Sequence, residues 1–302
     1  MTPPTPALSD ELLALLAAPG GHGALHRDGD AYVSDDGERF ETEGRILRTL
    51  RNVDPLLAKE LEAQEAAVGD YSDPRLLMPR YEHHVAEVAV EQLFGGRAPK
   101  GSRILDAGCG IGLLGRLYPD LGLVGLDASM PLLREATTGY AMLVEGSAEA
   151  LPFRDGAFDV VVALNMLHHV VSPEKAVREF ARVLRPGGTL VAVDPRKVAP
   201  IELAKWALRR NDTTFAPTHK AFGVAEYEGI VQCDGRFRLE EVRRVGLASL
   251  VGMGGLDALR VSRFIPDPQR AVHAFMALDD ALFRVPGVAR AGLNLAVRAT
   301  RT

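Results

Sequence analysis

The chain has 302 residues, a formal net charge of −5 and a charged fraction of 25%, the composition of an ordinary globular protein. No run of Lys and Arg forms a basic tract, which disfavours a nucleic-acid partner. Two cysteines, Cys109 and Cys233, are too few for a disulfide scaffold or a cysteine-ligated zinc site. The N-terminus lacks a signal-peptide pattern, and no apolar stretch approaches the roughly 18 residues of a membrane span. We therefore expect a cytoplasmic protein without a membrane partner or a resident metal, and leave oligomerisation open.

The first 55 residues predict a small β-rich domain. A short helix is expected at Ser9–Ala17, with Ser9 as its N-cap. Three short strands separated by turns rich in Asp and Gly follow it: Ala24–His26, Ala31–Ser34 and Arg39–Thr42. Residues 56–100 predict a helical connector or lid, because apolar side chains recur at helical spacing over 54–68 and 79–94.

The remainder, residues 101–302, alternates strands and helices, which predicts an α/β fold with a doubly wound, mostly parallel sheet. The expected strands are Arg103–Asp106, Gly122–Asp127, Ala141–Glu145, Phe158–Leu164, Thr189–Asp194, Phe237–Val245 and Asn294–Ala299. Helices are expected near Gly112 and at Pro131–Thr137, Pro173–Leu184, Ile201–Arg210, Val224–Gln232 and Pro268–Phe283. A sharp turn is predicted at Arg185–Gly188, and insertions at about 197–235 and 250–285.

A glycine-rich turn, Leu105–Gly112, follows the first strand of this sheet. Glycines permit a tight turn and let a ligand approach the backbone closely, and the next helix directs its free N–H groups at an anionic ligand. Alone this signal is weak, because dinucleotide enzymes use a similar pattern. Asp127 strengthens it, since an acid at the end of the second strand is placed to bind both hydroxyls of a ribose.

Six segments in order resemble a class I S-adenosylmethionine-dependent methyltransferase: Leu105–Gly112, Gly125–Ser129, Gly146–Phe153, Phe158–Val161, Asn165–Val170 and Arg182–Gly188. The resemblance covers residues 103–194 and is specific because all six segments occur together at sensible spacing. It implies a Rossmann-like fold with a mostly parallel seven-stranded sheet, a helical lid, and S-adenosyl-L-methionine as the cofactor.

The resemblance also implies which residues bind that cofactor. The expected set is Asn165 at the sulfonium; Gly108 and Gly110 against the methionine and ribose; Asp127 at the ribose hydroxyls; Ala128, Met130, Ser147 and Ala148 around the adenine; and Tyr81 as an aromatic lid. Asp106, Ala107 and His168 complete the set, without an assigned part of the cofactor. Many relatives have an Asp where this chain has Ser147, so one contact to the exocyclic amine is weaker or replaced. Tyr71 is a second candidate for the lid, and ordinary packing is an equal alternative for both tyrosines.

Three histidines are candidate acid–base catalysts. His219 is the first choice, because it follows the fifth strand, where relatives place acceptor-binding residues; a surface-loop histidine is the alternative. His168 and His169 lie in the turn after the fourth strand, where a neutral imidazole would serve as a general base. Many relatives use a histidine of this turn for structure or cofactor packing, so that alternative stays open.

The N-terminal domain resembles a zinc ribbon found in front of, or in complex with, some RNA and protein methyltransferases. The matching pieces are residues 12–21, Tyr32–Gly37, Phe40 and Glu43–Ile46. The four cysteine places of such a module fall near Ala18, Gly21, Ser34 and Asp36, and none holds a cysteine. The resemblance therefore implies a degenerate ribbon without its metal, and an unrelated β-rich cap is the alternative.

Three functions fit these observations. The first is methyl transfer to a small, fairly apolar acceptor, such as a secondary metabolite, by in-line displacement. The second is methylation of ribosomal or transfer RNA, against which the acidic charge counts. The third is a methyltransferase fold that uses its cofactor structurally, for a reaction such as cyclisation, or that serves as a non-catalytic partner subunit.

Overall fold

The computed structural model describes residues 8–51, 53–71, 75–77, 80, 101–198 and 220–302. Near the N-terminus, four short strands form an antiparallel sheet in chain order: β1 (Ala17–Ala18), β2 (His22–Asp28), β3 (Ala31–Ser34) and β4 (Arg39–Phe40). The β-rich N-terminal sheet that the sequence predicts is thus present.

A larger sheet contains nine strands within the described ranges: β5 (Thr42–Glu43), β6 (Ile46–Arg48), β7 (Ile104–Ala107), β8 (Leu123–Asp127), β9 (Tyr140–Glu145), β10 (Phe158–Leu164), β11 (Leu184–Pro195), β12 (Phe237–Val245) and β13 (Asn294–Arg301). Their order is β12-β13-β11-β10-β7-β8-β9-β6-β5. The strands from β11 to β6 pair in parallel, whereas β13 is antiparallel to both β11 and β12. The predicted Rossmann-like sheet of seven strands is confirmed, and β6 and β5 extend its edge.

The described residues also form the helices α1 (Asp10–Leu13), α2 (Pro55–Tyr71), α3 (Leu113–Leu117), α4 (Met130–Glu135), α5 (Pro173–Val183), α6 (Val224–Val231), α7 (Ala248–Ala258) and α8 (Pro268–Phe283). In α5 the apolar side chains recur every three or four residues, so that Ala176, Val177 and Phe180 are all fully buried on one face. This face packs in the core on one side of the sheet.

One apolar cluster joins the N-terminal strands to the large sheet. Leu16 and Phe40 are fully buried in the same cluster as Phe153, Phe158 and Phe180. Phe153 and Phe158 meet edge to face, with ring centroids 5.0 Å apart, the geometry that aromatic pairs favour. The N-terminal segment therefore shares its core with the large sheet.

Three predicted elements need correction. The first helix was expected at Ser9–Ala17 but ends at Leu13, because Leu16 bridges to Phe153 and Ala17 begins β1. The single strand expected at Arg39–Thr42 is two strands in different sheets, β4 and β5, with Glu41 between them. The turn expected at Arg185–Gly188 lies within β11, where the pairing with β10 shifts register.

Some of the other elements have the predicted bounds, and some were not predicted. The bounds of β3, β10, β12 and α8 are those predicted. The strand β6 and the helix α7 were not predicted. The helices predicted at 79–94 and Ile201–Arg210 fall outside the described residues, apart from Arg80.

Candidate active site

The glycine-rich turn after β7 is held against β8 and the loop after β10. The N–H groups of Gly108 and Cys109 both donate to the carbonyl of Leu126, at 2.7 and 3.0 Å. Gly108 has a φ of 75°, and a Cβ there would lie 2.6 Å from the Cβ of Met166. A Cβ on Gly110 would meet nothing within 4 Å. The turn is therefore closely packed at Gly108 and open at Gly110, which leaves the backbone accessible to a ligand.

Asp127 links the end of β8 to this turn. Its Oδ2 accepts a hydrogen bond from the N–H of Gly110 at 2.8 Å, and its Oδ1 accepts one from the N–H of Ser129 at 2.9 Å. Burial raises the pKa of the Asp127 carboxyl, while these two N–H groups act in the opposite direction. A carboxylate offers about four acceptor positions, so Asp127 keeps acceptor capacity for further donors beside the open turn.

Asp106 lies in β7, directly before the turn, and is almost fully buried. Its Oδ2 accepts a hydrogen bond from the hydroxyl of Tyr140 at 2.6 Å, and that hydroxyl accepts one from the N–H of Gly115 at 3.3 Å. Burial raises the pKa of Asp106 to about 7, against the opposing effect of the Tyr140 hydrogen bond. Sequence reasoning missed Tyr140, whose place at the start of a buried strand carries no signal of a polar role.

Asp106→Asn is expected to flatten the pH dependence of the free energy of unfolding. A carboxyl whose pKa is raised from 3.8 to about 7 by folding stabilises the fold fully below pH ~4 and loses that contribution as the pH rises towards 7. This contribution to the free energy of unfolding amounts to about 4 kcal/mol at most. Urea unfolding at several pH values between 4 and 8 measures it, with Asp120→Asn, at an exposed position, as the control. If the free energy of unfolding of Asp106→Asn falls with rising pH as steeply as that of the unsubstituted chain, this explanation is wrong.

The residues expected around the adenine lie just past the carboxyl ends of two neighbouring strands. Half-buried Ala128 and buried Met130 follow β8, whereas half-buried Ser147 and buried Ala148 follow β9. The hydroxyl of Ser147 accepts a hydrogen bond from the N–H of Glu149 at 3.1 Å, which forms a local turn. Because β8 and β9 are parallel, both groups lie at the same edge of the sheet as the glycine turn.

The loop after β10 places Asn165 and two histidines beside the turn. Asn165 has a φ of 51°, in the left-handed region that few residues other than glycine adopt, and its N–H donates to the carbonyl of Val193 at 2.7 Å. His168 is buried and His169 half-buried, and their ring centroids lie 3.8 Å apart.

His168 belongs to a buried polar network that the sequence did not reveal. Its Nδ1 lies 2.8 Å from Oδ1 of Asp194, which also accepts the backbone N–H of His168 at 3.1 Å. The hydroxyl of Tyr227 donates to Oδ2 of Asp194 at 2.7 Å. Asp194 is fully buried, and burial raises its pKa to about 7 against the opposing hydrogen bond from Tyr227. An acid near the carboxyl end of the fifth strand of the predicted sheet was the one available signal for this network.

His169 makes a separate contact with α2. Its Nδ1 lies 2.5 Å from Oε1 of Glu60, whose side chain is 3% exposed. This contact brings the first helix after the N-terminal strands to the loop after β10. The other two predicted site residues, Tyr81 and His219, lie outside the described residues, so their places in the site stay predictions.

Comparisons with known proteins indicate the class of domain that contains these residues. Residues 105–192 match the family model described as a methyltransferase domain. These residues therefore match a methyltransferase domain, which supports S-adenosylmethionine as the predicted cofactor of that domain. A solved structure described as a complex between the Haloferax volcanii Trm112 methyltransferase activator and the putative methyltransferase has the same fold, with a TM-score of 0.53 at 18% identity, over 81% of this chain and 97% of that one.

Two curated relatives are named for different methyl acceptors, one a transfer RNA and the other a quinone. A tRNA (carboxymethyluridine(34)-5-O)-methyltransferase of Arabidopsis thaliana is 32% identical over 119 residues, which are 38% of this chain and 27% of the relative. A demethylmenaquinone methyltransferase of Renibacterium salmoninarum is 39% identical over 101 residues, 32% of this chain and 43% of the relative. The chain thus spans less than half the length of either relative.

Within the described residues, no helix is both long and apolar enough to cross a membrane, and no three His, Cys, Asp or Glu side chains form a group able to hold a metal ion.

Proposed function

We propose that this chain transfers a methyl group from S-adenosylmethionine to a small, fairly apolar acceptor. The residues present fit the cofactor: the turn is open at Gly110, and Asp127 beside it keeps acceptor capacity for ribose hydroxyls. When bound, the cofactor supplies a methyl group on a positively charged sulfur, which is already reactive. The chain's own part is then to position the acceptor and to remove its proton.

The buried network of His168, Asp194 and Tyr227 carries the catalytic part of the proposal. We assign the Nδ1–H of His168 as a donor to Asp194, which leaves the lone pair of the neutral ring on Nε2. Tyr227 and the backbone N–H of His168 hold Asp194 in place. His168 would accept the proton that the acceptor loses when its new bond to the methyl carbon forms.

The small acceptor is supported by the net charge of −5 and by the likeness to a demethylmenaquinone methyltransferase. The likeness to a tRNA methyltransferase supports an RNA acceptor as the second candidate. A phosphate-rich partner usually requires a basic footprint, and the acidic balance of the chain therefore favours the small molecule.

Radiolabelled methyl transfer distinguishes these candidates. The chain is incubated with S-adenosylmethionine labelled in its methyl group, and with either a hydroquinone such as reduced demethylmenaquinone or bulk transfer RNA. We expect label in the organic extract of the first mixture and none in the RNA of the second. Label in RNA alone would overturn the small-molecule proposal. Calorimetry with S-adenosylhomocysteine runs in parallel, and a chain that fails to bind it would overturn all the cofactor-dependent functions.

A further inference from the structure

The segment from Glu145 to Arg154 is attached to the N-terminal residues at both of its ends. At its start, the N–H and the Oγ1 of Thr49 each donate to the carbonyl of Glu145 at 2.8 Å. The neighbouring Arg48 donates from Nε to the Glu145 carboxylate at 2.8 Å. Arg48 also belongs to β6, which pairs in parallel with β9 up to Glu145. The chain therefore leaves β9 along a path that the N-terminal segment fixes.

Backbone hydrogen bonds attach the far end of the segment. The N–H of Ala17 donates to the carbonyl of Pro152 at 3.0 Å, and the N–H of Gly20 donates to that of Leu151 at 3.1 Å. In return, the N–H of Arg154 donates to the carbonyl of Leu15 at 2.9 Å. These bonds surround the fully buried Phe153 and leave this part of the segment little freedom.

The residues between these two attachments are those expected at the edge of the adenine, Ser147 and Ala148. They are preceded by Gly146, whose N–H donates to the carbonyl of Asp127 at 3.0 Å. A Cβ on Gly146 would lie 2.9 Å from Oγ1 of Thr49, so the Thr49 side chain packs directly on the backbone where this stretch begins. Thr49 itself is 2% exposed.

From these contacts we infer that the N-terminal segment, residues 8–49, is a built-in positioning unit for the adenine-binding stretch, and that Thr49 is its positioning residue. A stretch that is already ordered pays less conformational entropy when a ligand binds. The unit therefore raises the affinity for the adenine end of the cofactor without touching the cofactor. This inference rests on the proposed use of S-adenosylmethionine.

Thr49→Val tests the inference, because valine keeps the shape of threonine and removes the Oγ1 donor. We expect the affinity for S-adenosylhomocysteine to fall by up to about fivefold, because the loosened stretch must then be ordered on binding and one buried hydrogen bond is worth about 1 kcal/mol. The affinity for S-inosylhomocysteine, which lacks the exocyclic amine of adenine, should fall by less. Amide hydrogen exchange at residues 146–150 should be faster than in the unsubstituted chain, and exchange at Gly110 and Ser129 unchanged.

Thr42→Val is the matched control. Thr42 lies in the same N-terminal segment, and its Oγ1 makes an exposed hydrogen bond, 3.5 Å long, to the carbonyl of Asp30 instead of contacting the adenine-binding stretch. We expect unchanged binding of both ligands. If Thr49→Val is folded and binds both ligands like Thr42→Val, the positioning role is overturned and the proposed function stands. If the unsubstituted chain binds neither ligand, the proposed function and this inference fail together.

Discussion

Asp127→Ala is expected to lower the affinity for S-adenosylhomocysteine by at least about 100-fold. The substitution removes the acceptor of two backbone N–H groups, those of Gly110 and Ser129, in a buried place. It also removes the acceptor proposed for the ribose hydroxyls. Hydrogen bonds to a charged group are worth about 1.5–3 kcal/mol each, and about 1.4 kcal/mol is a tenfold change in affinity. Loss of two such bonds on binding therefore gives about 100-fold or more.

Isothermal calorimetry measures the affinity, and circular dichroism with urea unfolding shows whether each variant is folded. Asp127→Asn keeps one acceptor oxygen and the shape of the side chain, so its affinity should lie between those of the unsubstituted chain and Asp127→Ala. Asp120→Asn, at an exposed position, is the control and should bind normally. A folded Asp127→Ala variant that binds within threefold of the unsubstituted chain would remove Asp127 from the cofactor site.

His168→Asn is expected to lower the rate of methyl transfer by about 100- to 10,000-fold, the usual contribution of a positioned general base. Binding of S-adenosylhomocysteine should change little, because the proposed role of His168 is towards the acceptor. Asp194→Asn should lower kcat as well, because the amide has one acceptor oxygen where the carboxylate uses two. Its NH2 group, when it faces Nδ1, favours the wrong tautomer of the imidazole. Tyr227→Phe removes one hydrogen bond to Asp194 and should have the smallest effect of the three.

The acceptor found in the radiolabelling experiment serves as the substrate for these rates, with kcat and KM determined separately. His26→Asn is the matched control, because His26 is an exposed histidine of β2 that pairs with Asp35. If His168→Asn and Asp194→Asn both retain kcat within twofold, the network is structural, and His219 becomes the leading candidate for the base.

The central strands of the sheet and the glycine turn were predictable because their signals are local. The strand β10 is an unbroken apolar run, as a strand covered on both faces requires, and its predicted bounds are those observed. The positive φ of Gly108 and Gly110 likewise follows from a pattern that only glycine tolerates well. These features established the fold class and the likeness to a methyltransferase without knowledge of any distant contact.

The bounds of elements near the N-terminus were less predictable, because pairing partners compete with local propensity. The apolar residues Leu15 and Leu16 fit a helix as well as a strand, and their burial against residues 151–154 ended the helix early. The strands β5 and β6 have only two and three residues, too few for a periodic signal. The place of β6 is set by the edge of β9, whose backbone groups it pairs with, and β5 in turn pairs with β6.

The sequence by itself determined the alternating α/β pattern, the glycine turn and the acid at the end of the second strand of the predicted sheet. Only the tertiary structure decided which polar side chains meet: Glu60 and His169 are 109 positions apart, and His168 and Asp194 are 26 apart. Local periodicity records which face of an element is apolar, whereas such contacts depend on the path of the whole chain. For the same reason the attachment of the N-terminal segment to the adenine-binding stretch appears only in the folded protein.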